Sequence, residues 1–274
     1  MPELVDLAQG VYAWLHDDAD LGRTNSGVVL DADGATVIDA QMLPSQASEL
    51  AAATETMGFP IRRCILTSGN IEFCGGNSRF TLAAMFGSPV TSGHLDQPPN
   101  IEAYQHFWPE HAAEFDDLVT RPVSHVVTEA NMVTPALELI PTAGHTAGNV
   151  MAHVPAAGVL FTGGMCSFGV TPLAFAGHPA AWSANLELVE HLAATGVRIV
   201  PGHGSIGGIE EVRALRGYLT AVVDAEGDPA NVVAGPWDGW ARRDLDAINV
   251  ERAALIGAGD PSMPPSMARA IGLR

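Results

Sequence analysis

The stretch Leu66-Thr67-Ser68-Gly69-Asn70-Ile71-Glu72-Phe73-Cys74-Gly75-Gly76-Asn77 follows directly on a β-type run, Arg63 to Thr67. Four further segments set its context. Upstream, Ala35-Thr36-Val37-Ile38-Asp39 is a short apolar run ending in an acid. Downstream come Thr142-Ala143-Gly144-His145-Thr146-Ala147-Gly148, then Leu160-Phe161-Thr162-Gly163-Gly164, then Val200-Pro201-Gly202-His203-Gly204. Between them the chain alternates strand and helix signals in two blocks. Val11 to Leu15, Gly27 to Leu30 and Ala35 to Asp39 read as strands, with Asp33-Gly34 as a hairpin turn. Pro44 opens a helix over about Ser45 to Met57, and Gly58 ends it. Pro98-Pro99 starts a helical segment broken near Pro109, carrying Tyr104, Phe107, Trp108 and Phe115.

The second block repeats the plan. Strands are expected at His125 to Val127, Ala136 to Ile140, Val150 to Val154, Val159 to Thr162 and Arg198 to Val200. Helices are expected at Ala180 to Ala194 and at Ile209 to Val223, where Val212, Leu215, Leu219 and Val222 make one stripe. Each block puts helices after a mostly consecutive set of strands. That pattern predicts an α/β (α+β) protein of two packed sheets with helices outside, a four-layered αββα sandwich. Residues 1–225 form the fold. Residues 226–274, with Gly235-Pro236-Trp237-Asp238-Gly239-Trp240, form a C-terminal extension packed on the same domain, as a lid, a dimer contact or plain packing.

Composition removes several classes of function. The chain has 274 residues, 47% of them apolar, enough for one large core. Its net charge of −18 opposes binding to nucleic acid or to an anionic membrane through a general positive field. All 13 basic residues are arginine, so a lysine Schiff base is excluded. The start, Met1-Pro2-Glu3-Leu4-Val5-Asp6, has no basic region followed by an apolar one, and no signal peptide is read there. Cys64, Cys74 and Cys166 are too few for a disulfide framework and suit a reducing cytoplasm. The expected partner is a small-molecule substrate, with a homodimer left open.

From about Gly10 to about Val223, the five segments in this order resemble the metallo-β-lactamase superfamily. The family's loop reads Thr-His-x-His-x-Asp-His-x-Gly-Gly, and one branch has Asn for the second His and continues Gly-Asp-His-x-x-Gly-Asn. The resemblance implies two zinc ions. Two loop histidines and a later one hold the first metal. The loop's Asp and last His, with the His of Pro-Gly-His, hold the second, and an Asp after Phe-Thr-Gly bridges them. Carried over position by position, this chain keeps His145 and His203 and has Glu72 in place of the Asp. It has Ser68, Asn70 and Phe73 at the three loop-histidine positions and Gly164 at the bridging acid. Phe and Gly cannot ligate through their side chains, and Ser and Asn ligate weakly. The loop's frame persists in Thr67, the small Gly69, Asn70, an acid at 72 and the Gly76-Asn77 exit.

Three functions follow from that residue set. In the first, an enzyme of small-molecule metabolism, of polyketide or other specialised type, works without metal. Glu72, His145 and His203 act as acid and base, a carboxylate raising the pKa of a neighbouring imidazole. Ser68 and Asn70 donate hydrogen bonds to an oxyanion or enolate, and the reaction is a cyclisation, elimination or isomerisation. In the second, the chain is a noncatalytic descendant that binds a ligand or partner, with His145 and His203 hydrogen-bonded to Glu72 and Asp39 as a buried network. In the third, a single zinc or iron ion sits between Glu72, His145 and His203 and drives hydrolysis of a thioester or similar substrate. The first is preferred, with no cofactor. Phe73, Cys166, Tyr104 and Trp108 are the expected substrate contacts. The resemblance implies that Asp39 orients the loop, a role that does not require metal.

Overall fold

Two mixed sheets pack face to face, and helices cover their outer surfaces. The computed structural model describes residues 4–16 and 18–273; Met1, Pro2 and Glu3, read above as lacking a leader, lie outside them. The first sheet runs in chain order: β1 (Leu4–Ala8), β2 (Val11–Trp14), β3 (Ser26–Asp31), β4 (Gly34–Ile38), β5 (Ile61–Ile65), β6 (Ala84–Gly87) and β7 (His125–Val126). It is antiparallel as far as β4 and parallel from there on. The parallel half needs crossovers, supplied by α1 (Pro44–Glu55), by α2 (Ile71–Cys74), and by α3 (Pro89–Leu95), α4 (Ile101–Phe107) and α5 (Ala112–Phe115). The second sheet has the order β12-β11-β10-β9-β8, built from β8 (Asn131–Met132), β9 (Glu138–Thr142), β10 (Asn149–Val154), β11 (Val159–Phe168) and β12 (Arg198–Gly204). Helices α6 (Pro179–Ala194) and α7 (Ile209–Asp224) lie on its outer face.

Three apolar layers hold these four together. Val11, Val29, Ile38 and Ile65 meet Leu139, Val150, Phe161 and Val200 between the sheets. Residue 27 must be glycine there, because a Cβ would stand 2.5 Å from the Phe161 ring. Leu50 of α1 packs on Val28, Val37, Leu66 and Met85. Trp182, Leu186 and Val189 of α6 interlock with Leu215, Leu219 and Val222 of α7 over the second sheet. The αββα expectation is therefore met, and among the described residues no helix is long and apolar enough to cross a membrane.

The structure differs from the sequence reading at the strands that carry the site. β11 continues to Phe168 and β12 to Gly204, six and four residues beyond their expected ends. Their parallel pairing survives two register shifts, one between Phe161 and Gly163 and one between Gly163 and Ser167. In the tail, α8 (Asp246–Gly257) and α9 (Pro265–Ala270) are helices that the turn-rich sequence had hidden. Val250 of α8 joins the α6–α7 layer. Leu245, Ile248, Met267 and Ile271 form a fourth cluster with Trp108, Phe115, Ile71 and Leu173, which caps the end of the sandwich where the site lies.

Candidate active site

The loop after β5 keeps its shape through contacts that need no metal. Asp39, just beyond β4, takes a left-handed backbone conformation with φ of 62°. Its Oδ1 accepts from the Thr67 N–H and its Oδ2 from the Thr67 Oγ1, both at 2.8 Å. The Thr67 carbonyl in turn accepts from Val150 N–H at 2.9 Å, which joins the loop to the second sheet. The loop then enters α2 and a 3-10 turn, Gly75–Arg79. A Cβ at Gly76 would lie 2.5 Å from the Ala47 Cβ and 2.6 Å from the Ala40 carbonyl oxygen, so the backbone approaches α1 as only glycine allows. Asn77 closes the turn by exchanging hydrogen bonds with the Arg121 backbone, at 2.9 and 2.7 Å.

Phe73 occupies the middle of the site. Its ring meets His145 edge-on at 5.7 Å between centroids and His203 at 5.9 Å, and it is fully buried. His145 also packs against Trp182 at 5.4 Å. Its Nε2 lies 3.4 Å from Asn70 Nδ2, while Nδ1 is buried without a partner. Gly164 explains the position of that ring: a Cβ at 164 would stand 2.3 Å from His145 Nδ1. The imidazole has moved into room that a bridging acid's side chain would need. Neither histidine is hydrogen-bonded to Glu72 or Asp39 among the described residues, so the buried network expected for a noncatalytic relic is not formed in that way.

The donors do not fit the zinc centre that the resemblance implies. No group of three or more His, Cys, Asp or Glu among the described residues is placed to hold a metal ion, the set Glu72, His145 and His203 included. The Phe73 ring packs edge-on against both imidazoles, and the space left between His145, His203, Gly164 and Glu72 is about 10 Å³, room for roughly one water.

The protonation states also depart from expectation. Burial, then the charge of His203, pushes His145 down to about 3; burial likewise lowers the half-buried His203 to about 4. The sequence reading had a carboxylate raising these histidines. Instead both are neutral at pH 7: nothing offsets desolvation at His145, and at His203 the nearby Asp20 carboxylate offsets only part of it. Burial raises Glu72 to about 7, with only Asn70 and its own backbone in opposition. Asp39 rises to about 8, again through burial first.

Beside this closed space lies a larger apolar pocket of about 190 Å³. Glu72, Trp108 and Leu173 border both. Tyr104 and Asn70 line the larger one, so the structure gathers Glu72, Asn70, Tyr104 and Trp108 around a single pocket. Three other candidates stand elsewhere. Ser68 is fully buried and its Oγ accepts from the Asn70 N–H at 3.2 Å, away from both spaces. Phe73 packs against both histidines and does not line the pocket. Cys166 belongs to the core under α6 and α7, its thiol pushed up to about 12 by burial. The register shift before Ser167 accounts for that placement. Gly164 and Ser167 both border the small space although they are three residues apart, and Cys166 falls on the opposite face.

Sequence reading missed the rest of the pocket. Phe175 follows β11, and Met263, Met267 and Ile271 come from the tail. Their spacing of four residues is a helical apolar stripe, the one signal that would have placed α9 against an apolar partner. His94 also lines it and is lowered by burial.

A two-sheet sandwich with this loop and these strand-end motifs defines a metallo-β-lactamase-type fold, most of whose metal-binding positions have been replaced. The sequence model of the metallo-β-lactamase superfamily matches residues 19–204, and the chain belongs to that superfamily. Solved structures agree at the level of the fold. The metallo-β-lactamase from Hirschia baltica is 21% identical with a TM-score of 0.60, the match covering 80% of this chain and 97% of that one. FIM-1 from Pseudomonas aeruginosa, in its mono-zinc form, is 17% identical with a TM-score of 0.62, over 80% and 95% of the two chains. The metallo-β-lactamase from Pontibacter korlensis is 16% identical with a TM-score of 0.62, over 80% and 99%.

Proposed function

We propose that this chain is a metal-independent enzyme of the superfamily that moves a proton on a small carbonyl compound, with Glu72 as the reacting group. The observation that carries the reading is the position of Glu72. Its side chain is buried, has no cationic partner among the described residues, and borders an apolar pocket of about 190 Å³. A carboxyl in such surroundings keeps its proton to near neutral pH, as a general acid requires.

One carboxyl suffices for the step. Its O–H gives a proton to the substrate's carbonyl oxygen while its other oxygen takes a proton from the adjacent carbon. The C–H pair becomes the C=C bond, the C=O becomes C–O–H, and the carboxylic acid is regenerated with its proton on the second oxygen. The enol so formed is the entry to isomerisation, elimination or ring closure. Asn70 holds Glu72 in place. The neutral His145 and His203 and the ring of Phe73 leave room for no more than about one water behind it.

The test is deuterium exchange at the methyl carbon beside the carbonyl of acetophenone in D2O near pH 6, followed by NMR. The protein is expected to speed exchange by about 10²-fold, the low end for general acid–base catalysis, and Glu72→Gln to return it to the buffer rate. Equal exchange by Glu72→Gln and the unsubstituted protein overturns the assignment. Binding of the ketone with no exchange in either favours the noncatalytic ligand-binding reading.

A further inference from the structure

The lining of the pocket says more about its occupant than the reaction does. Apolar side chains make up most of its wall, among them the four aromatics Tyr104, Phe107, Trp108 and Phe175 and the aliphatic groups of Met267 and Ile271. Its polar groups are few: Glu72, the amides of Asn70 and Asn100, the Tyr104 hydroxyl and the His94 imidazole. No arginine is among the described lining residues, and the chain has no lysine. An anionic ligand would therefore find no cation, would face the Glu72 carboxyl, and would enter against a protein carrying a net charge of −18. A cationic ligand would need Glu72 ionised, in a place where the carboxyl is buried and hydrogen-bonded only by neutral groups. Leaving either charge in such a wall costs several kcal/mol. Size gives the second limit. An apolar cavity of about 150 Å³ takes one benzene-sized molecule, and this pocket is slightly larger at about 190 Å³.

We infer that the pocket beside Glu72 selects an uncharged, single-ring carbonyl compound, whose oxygen accepts a hydrogen bond from the Glu72 carboxyl, and rejects carboxylates and amines of the same shape. The inference rests on the same site as the proposed proton transfer and names what that site admits. Aromatic walls bury the ring, and the amides of Asn70 and Asn100 serve a second polar substituent. The roof formed by Met263, Met267 and Ile271 makes the C-terminal extension part of the binding site.

Ligand-observed NMR titration of the full chain at pH 6 tests this with three probes of one shape: acetophenone, benzoate and benzylamine. Acetophenone is expected to bind at least about tenfold more tightly than either charged probe, the discrimination arising from the unpaired charge. Met267→Trp, which fills the roof, is expected to abolish binding, and Ile271→Trp provides the same test should the first variant fold poorly. Benzoate or benzylamine binding as tightly as acetophenone overturns the inference, as does acetophenone binding unaffected by both roof variants. Selective acetophenone binding without deuterium exchange upholds the inference and overturns the proton-transfer step, so the two failures are distinct.

Discussion

Glu72→Gln is expected to change how stability depends on pH, by an amount set by the burial of this side chain. In the folded protein the carboxyl holds its proton to about pH 7, against an ordinary value of 4.5. Between those two values the folded chain binds more protons than the unfolded one, so stability falls as pH rises. The contribution is fully present below 4.5 and is lost as pH passes through 7. At about 1.4 kcal/mol per pH unit, the interval from 4.5 to about 7 corresponds to about 3 kcal/mol. Because the residue is only 6% exposed, solvent screening removes little of it. Glutamine cannot ionise, and its amide fits the same space. Asp39, raised mainly by burial and least by Glu72, titrates in both proteins, as do His145 and His203, so these groups largely cancel in the difference. Urea unfolding at pH 4.5, 6 and 8 should show the unsubstituted protein losing about 3 kcal/mol relative to Glu72→Gln across the series. A difference constant to within about 1 kcal/mol, or one of opposite sign, would refute the desolvated carboxyl and with it the basis of the proposed chemistry.

Other perturbations probe the replaced metal site. Phe73→Ala removes a fully buried ring and is expected to cost about 3–5 kcal/mol in denaturant unfolding; a loss under about 1 kcal/mol would contradict its packing against the histidines. Gly164→Asp restores the bridging acid but brings a Cβ to 2.3 Å from His145 Nδ1, so it is expected to destabilise by about 2 kcal/mol or more. It should take up no stoichiometric zinc by elemental analysis, and a stable variant that did so would show that the imidazole does not fill that space. Dialysis against a chelator is expected to leave Tm unchanged for protein purified without added metal. A fall in Tm that zinc or iron reverses would support a single ion held by Glu72, His145 and His203.

The fold was legible because its signals are local and periodic. The stripe Val212, Leu215, Leu219 and Val222 places α7 without knowledge of its partner, and all four are fully buried as read. Pro44 and Gly58 bound α1 to within a few residues, since one cannot continue a helix backward and the other ends it. Gly76 was recognisable for the same kind of reason: its close approach to α1 leaves glycine no substitute. The replaced metal-ligand positions were also readable one by one, because the side chains of Phe73 and Gly164 cannot ligate whatever surrounds them.

The working shape of the site was not legible, because it depends on which distant groups meet. Sequence could set Glu72, His145 and His203 in one neighbourhood but could not show the Phe73 ring packed against both imidazoles. Nor could it show His145 filling the space freed at Gly164. Protonation followed the same rule: a carboxyl among histidines looks like an ion pair on paper, whereas burial without contact leaves the histidines neutral and the acid protonated. Cys166 is part of the core because of a register shift in the β11–β12 pair, a property of two strands together. Met263, Met267 and Ile271 reach the pocket only because the extension folds back over α4. Residue identity and periodicity determined the sandwich and the replacement of its metal ligands. Only the packing of remote segments decided that an apolar pocket with one buried acid stands beside the old metal site, since desolvation and cavity volume belong to the assembled structure.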